Sequence, residues 1–241
     1  FNLGLGPSTT QAIESIHGKS FDRPLKHLEE CAEIVEALTS GEESTVTYEG
    51  EYFQIHNIPP QSADVSIYNA ALGPKNRKLT GRLCDGWIPH IIPFSELESA
   101  FETVLSSAHD HGRDREDLIV APYVPVSTNE DPDKARKALR KHVAYYVGSG
   151  EGYRRAAAMA FPDQSKTIAS LWKDGNQTEA VESVPDKMVD EIGIAGRPDE
   201  VRDRLRELLQ MPIVDKLIIV LPIPIEEQWE STLETIRPDQ L

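Results

Sequence analysis

The sequence has few of the features that mark membrane, secreted or nucleic-acid-binding proteins. It has only two cysteines in 241 residues, Cys31 and Cys84, which argues against a disulfide framework and favours a reducing, cytoplasmic compartment. No apolar run approaches the ~18 residues of a spanning helix, and no signal peptide is visible. Basic residues are scarce: 25 Lys+Arg against 40 Asp+Glu give a net charge of −15. This balance argues against nucleic acid and anionic membrane surfaces as partners.

The sequence also does not begin with methionine. It opens at Phe1 inside an apolar run, residues 1–6, that is typical of a buried strand already under way. We therefore expect the natural amino terminus to lie upstream.

Strand and helix signals alternate along the chain, which predicts an α/β fold with a parallel sheet. Strands are predicted at residues 1–6, 65–72, 86–91, 118–126 and 217–221, and a small hairpin at 45–55. The run at 118–126 contains Pro122 and Pro125, so an irregular or short strand is expected there. Predicted helices cover residues 24–40, 74–82, 94–109, 131–146, 198–209 and 226–236.

Residues 148–190 show no strand signal, and we expect a glycine-rich loop with two or three short helices, inserted into a single domain over 1–241. A (β/α)8 TIM barrel has eight strands and typically about 250 residues. Five units and the insertion already fill this chain, so it is expected to hold strands 4–8, with three further units before Phe1. The alternative fold is a complete, open doubly wound sheet.

Two motifs on neighbouring strands have the composition of a phosphate site. Ala71, Leu72 and Gly73 join a strand to a helix that begins at Pro74, and the small side chains of this junction leave room for a phosphate. Backbone amides and the helix dipole make such a junction an anion site. The turn before the next strand holds the other candidates, Asp85, Gly86 and Trp87. Each motif alone also fits an ordinary turn, with Trp87 in the core.

Other candidate residues carry weaker signals. Gly4, Gly6 and Ser8 follow the first strand; they lack the third glycine of a dinucleotide fingerprint, and either let the backbone turn or form the floor for a flat cofactor. His17 is a candidate polar contact, as is His90, which follows a strand. Arg154 and Arg155, beside a glycine-rich loop at 148–152, are predicted substrate or lid residues. The same pattern fits solvated surface arginines at least as well. The seven histidines form no convincing metal site, and no nucleophile elbow or Walker loop is present.

Four stretches resemble the bacterial-luciferase-like (β/α)8 oxidoreductases, most closely their deazaflavin-dependent branch, which includes methylenetetrahydromethanopterin reductase. These stretches are residues 1–6, residues 13–25 with His17-Gly18 and Asp22-Arg23-Pro24-Leu25, residues 70–87, and residues 193–201 with Gly196-Arg197-Pro198-Asp199.

The resemblance implies hydride transfer between coenzyme F420, a deazaflavin, and a small organic substrate. The cofactor phosphate is then expected on the amides around Ala71, Leu72 and Gly73 and near Asp85, Gly86 and Trp87. Gly4, Gly6 and Ser8 are expected beneath or beside its ring system. The family's acid–base residues lie on the first three strands, so no catalytic residue can be named, and the chain alone is expected to be incomplete as an enzyme.

Two other functions remain open: an FMN-dependent luciferase-like monooxygenase, and a non-catalytic barrel relative that binds a cofactor. By analogy the protein is a possible homodimer. Only 11 of its 25 basic residues are Lys, and the net charge is strongly acidic, which suggests a halophilic, salt-rich cytoplasm.

Overall fold

The computed structural model describes residues 1–41, 44–222 and 229–240, which form an α/β fold. The chain divides into two compact units. The first unit comprises Phe1–Trp87 and Thr103–Leu118, and the second comprises Ile88–Glu102 and Ile119–Leu241. None of the described helices is long and apolar enough to cross a membrane.

The elements alternate as expected. The strands are β1 Asn2–Leu5, β2 Val46–Glu49, β3 Gln54–Ile58, β4 Ser66–Asn69, β5 Gly86–Trp87, β6 Ile119–Val120, β7 Tyr123–Thr128, β8 Ile194–Gly196 and β9 Ile218–Val220. The helices are α1 Pro24–Ser40, α2 Pro74–Leu83, α3 Leu97–His109, α4 Pro132–Ser149, α5 Glu151–Ala157, α6 Pro162–Lys173, α7 Gln177–Glu182, α8 Asp186–Ile192, α9 Pro198–Leu209 and α10 Trp229–Thr235. The start of the last predicted helix, residues 226–228, lies outside the described residues.

The sheet of the first unit contains β1, β4 and β5 in parallel. Leu3 of β1 pairs with Ile67 of β4, and Tyr68 of β4 pairs with Gly86 of β5. Their carboxyl ends therefore lie at one edge, where the loops that lead into the helices begin. The predicted hairpin forms from β2 and β3, which pair antiparallel.

Helix α1 begins and ends where the sequence predicts. Pro24 occupies its first turn, and Gly41 ends it with a φ of 69°, a left-handed conformation that glycine adopts without strain. Its apolar face buries Leu28 and Ala32. Glu30 is also buried, and its carboxylate accepts hydrogen bonds from the backbone amides of residues 51, 52 and 53 at 2.8–3.0 Å. These bonds attach the hairpin to the helix and, together with Lys26, lower the pKa of Glu30 against the opposing effect of burial.

Strand β7 is the centre of the second unit's sheet. Its first half pairs in parallel with β9, with Val124 opposite Ile219, and its second half pairs with β8, with Ser127 opposite Ala195. Pro122 lies in the break between β6 and β7, so the predicted irregularity of this strand is confirmed. Strand β8 was not predicted, because only three residues pair and they lack an alternating pattern.

The prediction of a glycine-rich loop over residues 148–152 is wrong. Gly148 and Ser149 form the last residues of α4, and α5 begins at Glu151 after the single residue Gly150. The segment then contains four short helices, α5–α8, rather than two or three. They pack on α4 through one apolar cluster, whose members include Val143, Val147, Ala157, Phe161, Ile168 and Met188.

Candidate functional site

The loop between β4 and α2 presents unpaired backbone amides. Gly73 is the N-cap of α2 and no side chain caps this helix. The described part of the chain holds no acceptor for the amides of Leu72, Gly73, Lys75 and Asn76. A Cβ built on Gly73 meets nothing within 4 Å, so the space above this junction is open. Unpaired amides at a helix amino terminus favour an anion, and a phosphate group fits this environment.

A buried polar network fixes this junction. The Nδ2 of Asn69, the last residue of β4, donates to Asn76 Oδ1 at 2.9 Å and to Thr80 Oγ1 at 3.0 Å. Asn69 and Thr80 are fully buried, and Asn69 Oδ1 finds no donor among the described residues. The network holds the first turns of α2 against the end of the strand, which keeps the unpaired amides in one arrangement.

Arg77 places a buried cation on the same helix. Arg77 is 8% exposed, and its Nε has no hydrogen-bond partner within the described part of the chain. Burial lowers the pKa of its guanidinium. A buried guanidinium without an acidic partner is costly unless an anion compensates it. Sequence reasoning did not identify Asn69, Asn76 and Arg77. One signal could have identified Asn76 and Arg77: the buried face of α2 carries Asn76, Arg77 and Thr80, whereas the buried face of an amphipathic helix usually carries apolar residues.

Trp87 positions the loop between β4 and α2 from within the core. Its ring is buried, and its Nε1 donates to the carbonyl oxygen of Ala71 at 2.8 Å. Trp87 can therefore be a core residue and also serve the site, because its buried indole positions the loop backbone that carries the unpaired amides.

Asp85 and Gly86 occupy structural positions. The Asp85 carboxylate accepts a hydrogen bond from Ile67 N at 2.7 Å and lies 3.6 Å from Arg113. Asp85 precedes β5, so it lies at the amino end of that strand, whereas the loop at Gly73 follows the carboxyl end of β4. A Cβ on Gly86 would overlap the ring of Tyr68, so close packing alone accounts for this glycine.

Gly4, Gly6 and Ser8 lie along and just beyond the neighbouring strand end. Leu5 of β1 pairs with Asn69, and Ala70 N donates to Leu5 O at 2.9 Å, which places this strand end beside the loop. Nothing approaches a Cβ built on Gly4, and one on Gly6 would only touch Ala70. Ser8 is exposed and adopts a φ of 63°. This strand end therefore offers open backbone next to the amides.

The predicted substrate or lid residues lie on other elements of the fold. His17 is exposed and ends a π-helical turn, Gln11–Ile16, in the first unit. Arg154 and Arg155 lie on α5 in the second unit, within a helix rather than a flexible loop.

His90 lies in a buried aromatic cluster of the second unit. Its Nδ1 lies 2.9 Å from Tyr123 O and must donate, because a carbonyl oxygen only accepts; the buried Nε2 has no partner among the described residues. Its ring centroid lies 4.7 Å from Tyr146 and 5.5 Å from His142. Burial lowers the pKa of His90 to about 4, so the imidazole is neutral at physiological pH. The next residue, Ile91, has a φ of 60°, a strained conformation for a β-branched side chain.

Comparison with known proteins identifies the family. Residues 1–216 match the family model of the luciferase-like monooxygenases. The chain belongs to this family. The predicted resemblance is thus confirmed.

Individual relatives agree with this assignment. The 5,10-methylenetetrahydromethanopterin reductase of Archaeoglobus fulgidus is 28% identical over 243 residues, covering 97% of this chain and 70% of that protein. The reductase of the same name from Methanolobus tindarius is 27% identical over 235 residues, covering 97% of this chain and 71% of its own length. The chain therefore spans about 70% of these luciferase-like relatives.

Solved structures confirm the fold class. The coenzyme F420 dependent tetrahydromethanopterin reductase of Methanopyrus kandleri superposes with a TM-score of 0.74 at 24% identity, over 97% of this chain and 71% of that one. An F420-dependent secondary alcohol dehydrogenase superposes with a TM-score of 0.68 at 19% identity, over 100% of this chain and 69% of that one. The chain has the fold of the luciferase-like TIM barrels, with strands that pair in parallel.

Proposed function

We propose that this luciferase-like protein is an oxidoreductase that transfers a hydride between coenzyme F420 and a small organic substrate. The predicted enzyme class and cofactor agree with relatives that are named as reductases and as F420-dependent enzymes. The observation that carries the proposal is the uncapped amino terminus of α2, where unpaired amides meet open space at Gly73.

In this proposal the chain binds and orients the cofactor. The amides of Leu72, Gly73, Lys75 and Asn76 receive its phosphate, and the charge of the buried Arg77 favours that anion. Gly4, Gly6 and Ser8 supply side-chain-poor backbone beside the ring system. When bound, F420 supplies the carbon that accepts or donates the hydride, and the protein sets its orientation and excludes water.

The substrate is proposed only by class. Relatives carry names that refer to a pterin derivative and to secondary alcohols, so a small organic molecule is the common feature. We assign no catalytic acid or base within residues 1–241. A cytoplasmic location and a homodimer are also proposed; both described cysteines are free, which suits a reducing compartment.

Cofactor binding to the full-length protein tests the proposal. We expect added F420 to lose or shift its fluorescence in a saturable titration. A protein that purifies with FMN and does not respond to F420 would contradict the cofactor assignment and favour a flavin-dependent monooxygenase.

A pair of substitutions at one position tests the phosphate site. Gly73→Asp places a carboxylate against the phosphate and is expected to weaken F420 binding about tenfold or more, equivalent to about 1.4 kcal/mol. Aspartate is also a good N-cap, so the free energy of unfolding should stay unchanged or rise by about 1 kcal/mol. Gly73→Ala is the matched control, because the space is open, φ is −84° and the amides stay free. Equal F420 affinity in all three proteins would remove this site.

A further inference from the structure

A groove between α5 and α6 in the second unit gathers basic side chains. Its volume is about 350 Å³, within the range of small-molecule sites. Four cationic residues line it: Arg154, Arg155, Lys166 and Lys173.

Most of these cations lack a partner among the described residues. Arg155 forms an ion pair with Glu151. In the described part of the chain, Arg154, Lys166 and Lys173 form no ion pair and no side-chain hydrogen bond. Such a concentration of positive charge is unusual in a chain of net charge −15. Like charges repel one another across a small groove, and a bound anion removes this repulsion.

The wall of the groove adds a buried donor and an apolar surface. Ser165 is 1% exposed, and its Oγ has no hydrogen-bond partner among the described residues. Ala158, Pro162 and Ala169 provide apolar contact area. The groove follows one side of α6 from Pro162, its first residue, to Lys173, its last.

We propose that this groove binds a small organic anion, a carboxylate or phosphate attached to an apolar body. The cations and the Ser165 hydroxyl hold the anionic group, and the alanines and Pro162 contact the apolar part. Solvated surface lysines alone leave the buried Ser165 Oγ unexplained. The inference does not depend on the cofactor assignment, because the groove is built from α5, α6 and Ala158, the residue that follows α5.

Two sources have this chemistry: the anionic tail of the cofactor and an anionic substrate. A tri-γ-glutamate peptide and inorganic pyrophosphate serve as probes, titrated calorimetrically into the full-length protein at low ionic strength. Saturable binding of either probe is expected. If the peptide competes with F420 but not with the deazaflavin chromophore that lacks phosphate and glutamates, the cofactor tail is the source. If a probe binds without competing, the anion belongs to the substrate.

Charge-removing variants test where the probes bind. Arg154→Gln with Lys166→Gln is expected to weaken probe binding about tenfold, and Ser165→Ala about threefold. Lys187→Gln is the control, since Lys187 is an exposed lysine on α8 outside the groove. Absence of probe binding, or an equal loss in the Lys187 control, would overturn the proposal. F420 binding that is lost in Gly73→Asp but kept in the groove variants separates this site from the cofactor site.

A second variant covers the case in which the double substitution perturbs folding. Ala169→Glu adds one carboxylate to the half-buried wall of the groove and leaves all four cations in place. It is expected to abolish pyrophosphate binding with an unchanged circular dichroism spectrum. Undiminished pyrophosphate binding in a folded Ala169→Glu protein would show that the anion binds elsewhere.

Discussion

Burial makes His90 a source of pH-dependent stability. The folded-state pKa is lowered to about 4 by burial, below the ordinary value of 6.5, so the unfolded chain binds the proton more readily. This stabilisation is fully present above about pH 6.5 and is lost as the pH falls toward 4. Between about pH 7.5 and about pH 5 we expect His90 to account for a loss of about 2 kcal/mol in the free energy of unfolding, measured by urea titration.

Substitution isolates this contribution. His90→Gln retains a donor for Tyr123 O but does not titrate, so its stability should depend less on pH over the same range. His56→Gln is the control, because His56 is exposed. His142 also has a pKa lowered to about 3, mainly by burial and in addition by the charge of His90. Its own pH dependence is therefore unchanged in His56→Gln and reduced, but still present, in His90→Gln. Identical pH slopes for the wild type and His90→Gln would contradict this assignment.

Part of the candidate site was predictable residue by residue. The sequence predicts Ala71, Leu72 and Gly73 for the proposed phosphate site because a strand that runs into a proline-initiated helix is a local signal. Asn69 and Arg77 were missed because their burial depends on packing between strand and helix. Asp85 is near the loop in sequence but at the opposite end of the strand in space, and only the parallel register reveals this.

At the scale of elements, the clearest error concerns the end of α4. Gly148 and Gly150 suggested a loop, yet Gly148 is helical and a Cβ at this position would overlap the ring of Trp172 on α6. Close helix packing, rather than flexibility, therefore accounts for glycine at this position. Long helices such as α1 were predictable from their apolar period and end signals, whereas β8 exists only through its pairing with β7.

This packing predicts that Gly148→Ala changes the free energy of unfolding in opposite directions with and without Trp172. Gly148→Ala alone should lower the free energy of unfolding by about 1–3 kcal/mol, because the methyl group overlaps the Trp172 ring. In a Trp172→Ala background the same change should be stabilising by about 1 kcal/mol, because alanine favours helix over glycine. Chemical denaturation of the four proteins measures the coupling.

The direction of the stability change in each background shows whether Gly148 lies in a loop or in a packed helix. If Gly148 were in a loop, the substitution would have the same small effect in both backgrounds. A destabilisation that persists without Trp172 would show that another contact restricts this position.

At the scale of the whole molecule, the alternation of strands and helices was sufficient for the α/β class and the parallel sheet. The luciferase-like family followed from longer motifs, and the match over residues 1–216 confirms it. The location of the proposed anion-binding sites did not follow from composition. A net charge of −15 describes the average surface, while the basic groove of α5 and α6 is local and required the packing of two helices.

The net charge leads to a prediction about salt. Self-repulsion of the acidic surface destabilises the folded protein, and salt screens it: the Debye length falls from about 10 Å at ~0.1 M to about 3 Å at ~1 M. Salt also weakens exposed ion pairs such as Arg204 with Glu207, but each contributes only about 0–1 kcal/mol. We expect the long-range repulsion to dominate, so that the midpoint of thermal unfolding rises between ~0.1 M and ~1 M KCl. Choline chloride at equal ionic strength should have the same effect if screening is the cause. A protein that is most stable at the lowest ionic strength would show that local ion pairs dominate, and the proposed adaptation to a salt-rich cytoplasm would fail.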